Sequence, residues 1–283
     1  MKIATIILNY NSSADSKRCI GDLLMQENVE QEIIVVDNCS KEEERSAVEN
    51  LCNELSVTFM ANDKNGGYNA GNNIGLRYAA KKGYEYALIA NPDMQFPNRD
   101  YLQKLLEPML NDKEIVVCGS DIVTPEGVHQ NPAHRDGDWR SCWGWFADLF
   151  MKKATDAYSF IDNYTSSHYC SKVSGCCLLV RMSYIKDIGF FDEYPMLYCE
   201  EAILSRQVEN ANKKMYYTTE TQAIHAHKNS EKGDPIPRFK QWRRSRLYFI
   251  ERYSDDTTWG KFMASLSMRL YIRIMLTYNY FKQ

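Results

Sequence analysis

Short apolar runs alternate with amphipathic stretches through the first hundred residues. "KIATIIL" (2–8), "EIIVVD" (32–37), "VTFMAN" (57–62) and "YEYALIA" (84–90) are continuous enough in hydrophobicity to predict buried strands. Between them the spacing predicts helices. One runs from Ser13 to Gln26, with Cys19, Leu23 and Leu24 on its apolar side. A second lies within "NCSKEEERSAVENLCNEL" (38–55), with Ser40 as its cap and an acidic first turn, and a third runs from Asn69 to Lys82, closed by Gly83. Strands separated by helices imply right-handed βαβ units and a mostly parallel sheet. The fourth apolar run ends abruptly in Asn91-Pro92-Asp93. Proline cannot donate to a sheet ladder, so the strand stops there. Asp93 is left on a rigid turn at the strand's tip, where open α/β sheets hold ligands.

The pattern beyond residue 100 is less regular. A helix (Tyr101 to Leu110) and a strand (Ile115 to Gly119) precede a long polar, aromatic segment, "GVHQNPAHRDGDWRSCWGWF" (127–146). Segments of this length without structure of their own are usually functional or mobile. "SKVSGCCLLVRM" (171–182) predicts a buried strand, "EEAILSRQVENANK" (200–213) a helix and "KMYYTTETQAIHAH" (214–227) the last strand.

With 44% hydrophobic and 25% charged residues, the chain is a soluble globular type, and its 283 residues can bury a large core. A net charge of −3 argues against a surface built to bind nucleic acid. The nine cysteines form no C-x-x-C pair, which predicts scattered structural thiols in a reducing compartment. "MKIATIILNYN" has no cleavage site after its short apolar core, and no run of 18 uncharged apolar residues occurs. The expectation is a cytoplasmic chain that does not span a membrane.

Two phosphate-binding signatures are missing, G-x-G-x-x-G after the first strand and G-x-x-x-x-G-K-[ST] anywhere. Without the first, Asp37 is a poor match for the ribose-binding acid of a dehydrogenase. The glycine-rich segment that exists is "NDKNGGYNAGNNIG" (62–75). It admits two readings. Gly66, Gly67, Gly71 and Gly75 let the backbone approach a ligand at a helix N-terminus, with Asn65, Asn69, Asn72 and Asn73 as uncharged partners, or they let a helix pack tightly on the sheet.

The order of the pieces breaks that tie. "NYN" (9–11) at the end of a strand, "VVDNCS" (35–40), "NGGYNAGNNIG", a helix and "ANPD" (90–93) together resemble the family 2 glycosyltransferases of GT-A fold, particularly the rhamnosyltransferase-like branch. The resemblance spans Lys2 to Ser230. It implies an α/β, Rossmann-like, mostly parallel sheet flanked by helices, with a GT-A domain over 1–232 and a C-terminal helical extension over 233–283. The nucleotide-binding half would be 1–100 and the acceptor half 101–232.

The resemblance also gives roles to positions. Asp37 would contact the nucleotide base, Tyr10 and Asn11 would wall the base and ribose, and Asn65 and Gly66 would lie beside the ribose and diphosphate. Asn69, Asn73 and Asn91 belong to the same nucleotide-sugar-binding region. Asp93 matches the last carboxylate of the family's Asp-x-Asp motif, which holds Mn²⁺ or Mg²⁺ against the donor diphosphate; Asn91 stands at the first place. In "AIHAHKNS" (223–230), His225 and Ser230 match a strand-end "H....S", which would make His225 a second metal or diphosphate ligand. His227, on the same strand face, is an alternative, and a surface histidine pair is another.

"GFFDEYPMLYCEEAILSRQ" (189–207) resembles the segment whose Glu-Asp pair supplies the general base of inverting transfer. Glu201 stands at the base position, Glu200 before it and Arg206 at the terminal arginine. Glu201 is one methylene longer than the usual Asp, and Ile203 replaces a second acid. Those departures leave open a catalytically impaired donor-binding scaffold. Glu200, Asp192 (with Glu193), Trp143 and Trp145 (with Trp139) are candidates to face an acceptor, against the alternatives of helix capping and packing of a lid.

From Pro235 to Gln283, ten Lys and Arg stand against three acids, a surplus of seven, while the rest of the chain has a deficit of ten. Basic residues interleave with aromatic and aliphatic ones in two predicted helices. That composition suits an anionic membrane surface, or packing on the acidic catalytic domain. No nucleic-acid recognition motif accompanies it. The expectation is an inverting transferase that moves a sugar from a nucleoside-diphosphate donor (dTDP-rhamnose or a UDP-hexose) to a glycan or lipid-linked glycan of the cell envelope, peripheral on the inner face of the plasma membrane.

Overall fold

The computed structural model describes residues 2–148, 161–226 and 235–282. Strands β1 (Lys2–Asn9), β2 (Glu30–Asp37), β3 (Thr58–Ala61) and β4 (Tyr86–Ala90) lie parallel in the order β3-β2-β1-β4. Helices α1 (Ser13–Leu24), α2 (Glu42–Leu55) and α3 (Tyr68–Lys82) connect them. Side chains of β1 alternate between two cores. Ile3 and Ile7 join Cys19, Leu23 and Val48 on one face, and Ala4, Ile6 and Leu8 join Leu76 and Ala79 on the other. Burial on both faces explains the unbroken apolar runs. A Cβ on Gly71 would lie 2.4 Å from Leu8 Cδ1, and one on Gly75 would lie 2.7 Å from Ile6 Cγ2. For these two glycines the tight-packing reading holds, and they set α3 against the sheet.

The second half adds β5 (Met94–Gln95), α4 (Tyr101–Asn111), β6 (Ile115–Val123), a 3-10 turn (Trp139–Trp143), α5 (Gly144–Asp148) and β7 (His168–Cys170). Then come β8 (Cys177–Arg181), α6 (Met182–Asp187), α7 (Glu200–Asn210) and β9 (Lys214–His225). β8 enters antiparallel between β4 and β6, and β9 lies parallel to β6. The other edge of β9 carries β7 near its start and β5 at its end. One sheet therefore spans both predicted halves, with parallel ladders carrying most of its register.

Several expectations change in detail. β5, β7 and α6 were not predicted, being too short to show a period. Ser40 does not cap α2; Lys41 holds that position without a side-chain bond. The Ser40 hydroxyl instead accepts from Asn9 Nδ2 (3.2 Å) and the Asn11 N–H (2.9 Å), tying the end of β1 to the end of β2. All nine cysteines are free thiols, six of them buried.

Helices α8 (Pro235–Arg252) and α9 (Thr258–Lys282) pack onto the rest of the chain through Ile203, Phe249, Ile250, Ala264 and Met268. Arg246 is buried there, bonded to Asp136 (3.2 Å), the Gly137 carbonyl (2.6 Å) and Ser141 Oγ (2.8 Å). Packing on the rest of the chain is thus the role of the inner faces. The expected boundary at 232/233 lies outside the described residues. No helix among the described residues is long and apolar enough to cross a membrane.

Candidate active site

The Asn91-Pro92-Asp93 turn is held at three points. The Asn91 N–H donates to the Cys176 carbonyl (2.8 Å), and the Met94 N–H closes back on the Asn91 carbonyl (3.2 Å). β5 then pairs Met94 with His225, and the Ala226 N–H donates to the Asp93 carbonyl (2.9 Å). This brings Asp93 Oδ2 to 3.4 Å from His225 Nε2. Two ligands of one cation, with bonds of about 2.1 Å, stand about 3.0–3.4 Å apart.

His225 Nδ1 lies 2.8 Å from Gln130 Oε1. With Nδ1 turned to that oxygen, Nε2 is the ring nitrogen that faces Asp93 and the one a metal would take. Burial opposes charge on the ring, yet bonding to Asp93 and Cys176 outweighs it and carries its pKa up to about 10. No cluster of three His, Cys, Asp or Glu gathers among the described residues. The pair fits a hard divalent cation that takes its remaining ligands from water and phosphate. His227 and Ser230 lie outside the described residues.

Asp93 opens into a cavity of about 740 Å³ walled by Tyr10, Asn38, Asn65, Gly67, Tyr68 and Asn91, with Met196 and Leu197 opposite and Pro237, Arg238 and Gln241 from α8. Of the residues the resemblance implied for donor binding, Tyr10, Asn65 and Asn91 line this cavity. Five other residues implied for donor binding do not line it. Asp37 is fully buried behind the wall, its two oxygens taken by Asn9 Nδ2 (2.8 Å) and the Ser40 N–H (3.0 Å). Asn38, the next residue, faces the cavity in its stead and donates to Asn65 Oδ1 (3.1 Å). Asn11 links the ends of β1 and β2, accepting from the Lys41 N–H (2.8 Å). Asn69 donates to the Asp192 carbonyl (2.7 Å), and Asn73 brackets Phe191, donating to its carbonyl (2.8 Å) and accepting from its N–H (3.0 Å). Both asparagines clamp α3 to the segment after α6, because buried amides must find partners. Gly67, rather than Gly66, reaches the cavity. Its φ is +93°, and a Cβ would lie 2.4 Å from the Met196 carbonyl oxygen.

A second cavity of about 370 Å³ shares Tyr68, Asn91, Leu197 and Tyr198 with the first and holds His225, Glu200 and Glu201. Tyr198 and Cys199 are both left-handed (φ 74° and 66°), turning the chain sharply into α7 so that its first two residues face inward. Glu201 Oε1 accepts from the Gly175 N–H (3.1 Å), and a Cβ on Gly175 would come within 3.0 Å of that oxygen. Burial, then the neighbouring Glu201, pushes Glu200 up to about 7, and its Oε1 is buried with no hydrogen-bond partner. Tyr68 donates to the Gly175 carbonyl, and burial followed by the charge of Glu201 pushes its phenol well up, so it remains a donor.

The acceptor-facing candidates divide. Glu200 lines the second cavity. Asp192 instead accepts from Tyr248 (2.7 Å) and Tyr253 (2.5 Å), anchoring α8. Trp145 donates to Ser267 Oγ (2.8 Å) and stacks on Tyr271, and Trp143 packs against Trp145, so both serve the seat of α9. Trp242 of α8 is the tryptophan that faces the cavity, alongside Lys172 and Asp136.

A family model described as "Glycosyl transferase family 2" matches residues 5–189. The chain belongs to glycosyl transferase family 2. Among curated glycosyltransferases, it is 25% identical over 226 residues to the low-salt glycan biosynthesis hexosyltransferase Agl10 of Haloferax volcanii, covering 79% of this chain and 66% of that one. It is 26% identical over 176 residues to the N-acetylglucosaminyl-diphospho-decaprenol L-rhamnosyltransferase of Mycobacterium tuberculosis, covering 60% of this chain and 56% of that one. The chain thus spans about half to two thirds of the length of these relatives. Two solved glycosyltransferases share the fold. The mannosyltransferase PcManGT of Pyrobaculum calidifontis, in complex with GDP-Man and Mn²⁺, superposes with a TM-score of 0.60 at 13% identity, covering 98% of this chain and 79% of that one. S. aureus TarS 1–349 superposes at 0.56 and 16% identity, covering 92% and 68%. The fold of this family 2 chain is GT-A.

Proposed function

We propose that the chain is an inverting glycosyltransferase that takes a sugar from a nucleoside-diphosphate donor to a hydroxyl of a glycan or lipid-linked glycan, at an anionic membrane surface reached through its C-terminal helices. The observation that carries this is the junction of the two cavities. The Asp93–His225 pair bridges them, Asp93 on the wall of the larger and His225 on that of the smaller, which also holds Glu201. A nucleoside diphosphate fits the larger, with Tyr10 and Asn38 at its base and ribose and Asn65 and Gly67 beside the diphosphate. Mn²⁺ or Mg²⁺ held by Asp93 and His225 would supply charge stabilisation for the departing diphosphate. Arg238 faces the same cavity and adds a positive charge.

In the smaller cavity Glu201 takes the proton of the acceptor hydroxyl, held in place by the Gly175 N–H. Glu200 holds its proton to higher pH and donates to an acceptor oxygen. Tyr198, Leu197 and Trp242 exclude water from the reacting centre. Ile203 does not weaken this reading, because it is 1% exposed and serves as the seat of α8 and α9 rather than as a lost catalytic acid. A hexose such as rhamnose and a lipid-linked acceptor agree with the names of the relatives, while dTDP or UDP as the nucleotide and a cell-envelope acceptor rest on the sequence resemblance.

Calorimetric titration with UDP, dTDP and GDP, with and without Mn²⁺, tests the reading. One nucleotide should bind in a metal-dependent way, and Asp93→Ala should weaken that binding at least about tenfold. Glu201→Gln should keep the affinity and lose transfer. If a folded sample binds no nucleotide, the proposal fails.

A further inference from the structure

The two faces of α9 differ in kind. Inward, Gly260, Ala264, Ser267 and Met268 are buried. A Cβ on Gly260 would lie 2.5 Å from Trp139 Cδ1, and Ser267 Oγ donates to the Cys142 carbonyl (2.6 Å). Outward, Trp259 (65% exposed), Phe262 (56%), Leu270 (37%) and Ile274 (44%) stand in water, with Leu266 partly covered between them. Steps of three and four residues place all five on one stripe. Exposed Arg269 and Arg273 lie along the same stripe, and α9 contains no acidic residue.

A stripe of this size is costly to leave in water and marks a contact surface. A second copy is a poor occupant. Stripe against stripe would bring arginine to arginine with no carboxylate on α9 to pair them. An anionic bilayer satisfies both parts, since its acyl boundary takes the aromatic and aliphatic side chains while its headgroups take the guanidinium groups.

We infer that the outward face of α9 is the membrane-docking surface, with the helix lying in the plane of the interface. This rests on the proposed membrane partner and divides the work of the two helices. α8 walls the cavities through Arg238, Gln241 and Trp242 and takes no part in lipid contact.

The test is co-sedimentation of the full chain with vesicles of phosphatidylcholine alone and with phosphatidylserine added. The wild type should bind the anionic vesicles at least about tenfold more tightly. The double change Trp259→Ser with Phe262→Ser should reduce that binding about tenfold or more, and Arg269→Gln with Arg273→Gln should remove the preference for anionic lipid. The same loss of charge on α3, Lys81→Gln with Lys82→Gln, should change nothing. Nucleotide affinity should be equal in all of them, which shows that each is folded. If the wild type binds no vesicle, the membrane partner falls together with this inference. If it binds and the Trp259/Phe262 variant binds equally well, this inference alone falls. A dimer in sedimentation that the same variant dissolves would put a second copy on the face and overturn it.

Discussion

Glu200 and Glu201 are adjacent carboxylates in one cavity, yet they meet different environments. Glu201 Oε1 takes the Gly175 N–H; Glu200 Oε1 is buried without a hydrogen-bond partner among the described residues, although backbone bonds at Glu200 and Tyr198 also act on its carboxyl. Burial and the neighbouring charge raise Glu200 from 4.5 to about 7, so the folded chain binds this proton more tightly than the unfolded chain. Its contribution to stability is therefore complete below about pH 4.5, is lost as pH rises to about 7, and stays lost above. Glu200→Gln should remove that dependence. Urea unfolding at pH 5 and pH 8 should show the wild type losing about 2 kcal/mol relative to the variant across the interval. Parallel pH profiles for the two proteins would mean that Glu200 does not hold the proton. At this scale short motifs at fixed places on a strand or helix singled out Asp93, His225 and Glu201, and the fold sets Asp93 beside His225 and puts His225 and Glu201 on one cavity wall. That Asn38 rather than Asp37 lines the cavity was not legible, because the sequence does not show which of two adjacent polar residues at a strand end faces a cavity. That Asn69 and Asn73 bond Asp192 and Phe191 rather than line the cavity was not legible, because those partners lie far along the chain.

Among the elements, α7 shows how a departure from a family pattern can be structural. Its first turn presents two glutamates to the cavity, and Ile203 on another side of the same turn packs among Phe249, Ile250 and Met268. Ile203→Asp would restore an acid to the sequence but bury an unpaired carboxylate. The expected cost is about 3–5 kcal/mol, read as a fall in the urea midpoint together with binding of a dye that reports exposed apolar surface. A variant as stable as the wild type would show that α8 and α9 are seated by other contacts. Periodicity exposed every element long enough to repeat, which is why β1 to β4, α3 with its Gly83 stop, and α7 were legible. β5 has only two residues and no period. Yet its pairing with β9 sets Asp93 beside His225, so the decisive contact of the site was hidden in the element with the weakest signal.

For the molecule as a whole, the C-terminal helices are part of the folded body rather than an appendage. They supply Arg238 and Gln241 to one cavity and Trp242 to the other, and they cover a core cluster that would otherwise face water. Deleting residues 235–283 should weaken nucleotide binding at least about tenfold and lower the melting temperature, as calorimetry and circular dichroism would show. Full nucleotide affinity in the truncated chain would restrict the helices to docking. The charge surplus of this segment was plain in the sequence; its division between a buried arginine, cavity walls and an outward stripe depends on which helix face meets the core.

The position of β8 has a further consequence, for synthesis on the ribosome. β1 to β4 are contiguous in the chain and complete by Ala90, but the neighbour that covers the outer edge of β4 begins only at Cys177. While the intervening segment is translated, the nascent sheet presents an unpaired, wholly apolar edge, the feature most prone to pairing with other chains. Folding yield in the cell should therefore depend on how quickly translation delivers β8, and on chaperones that shield β4 until it arrives.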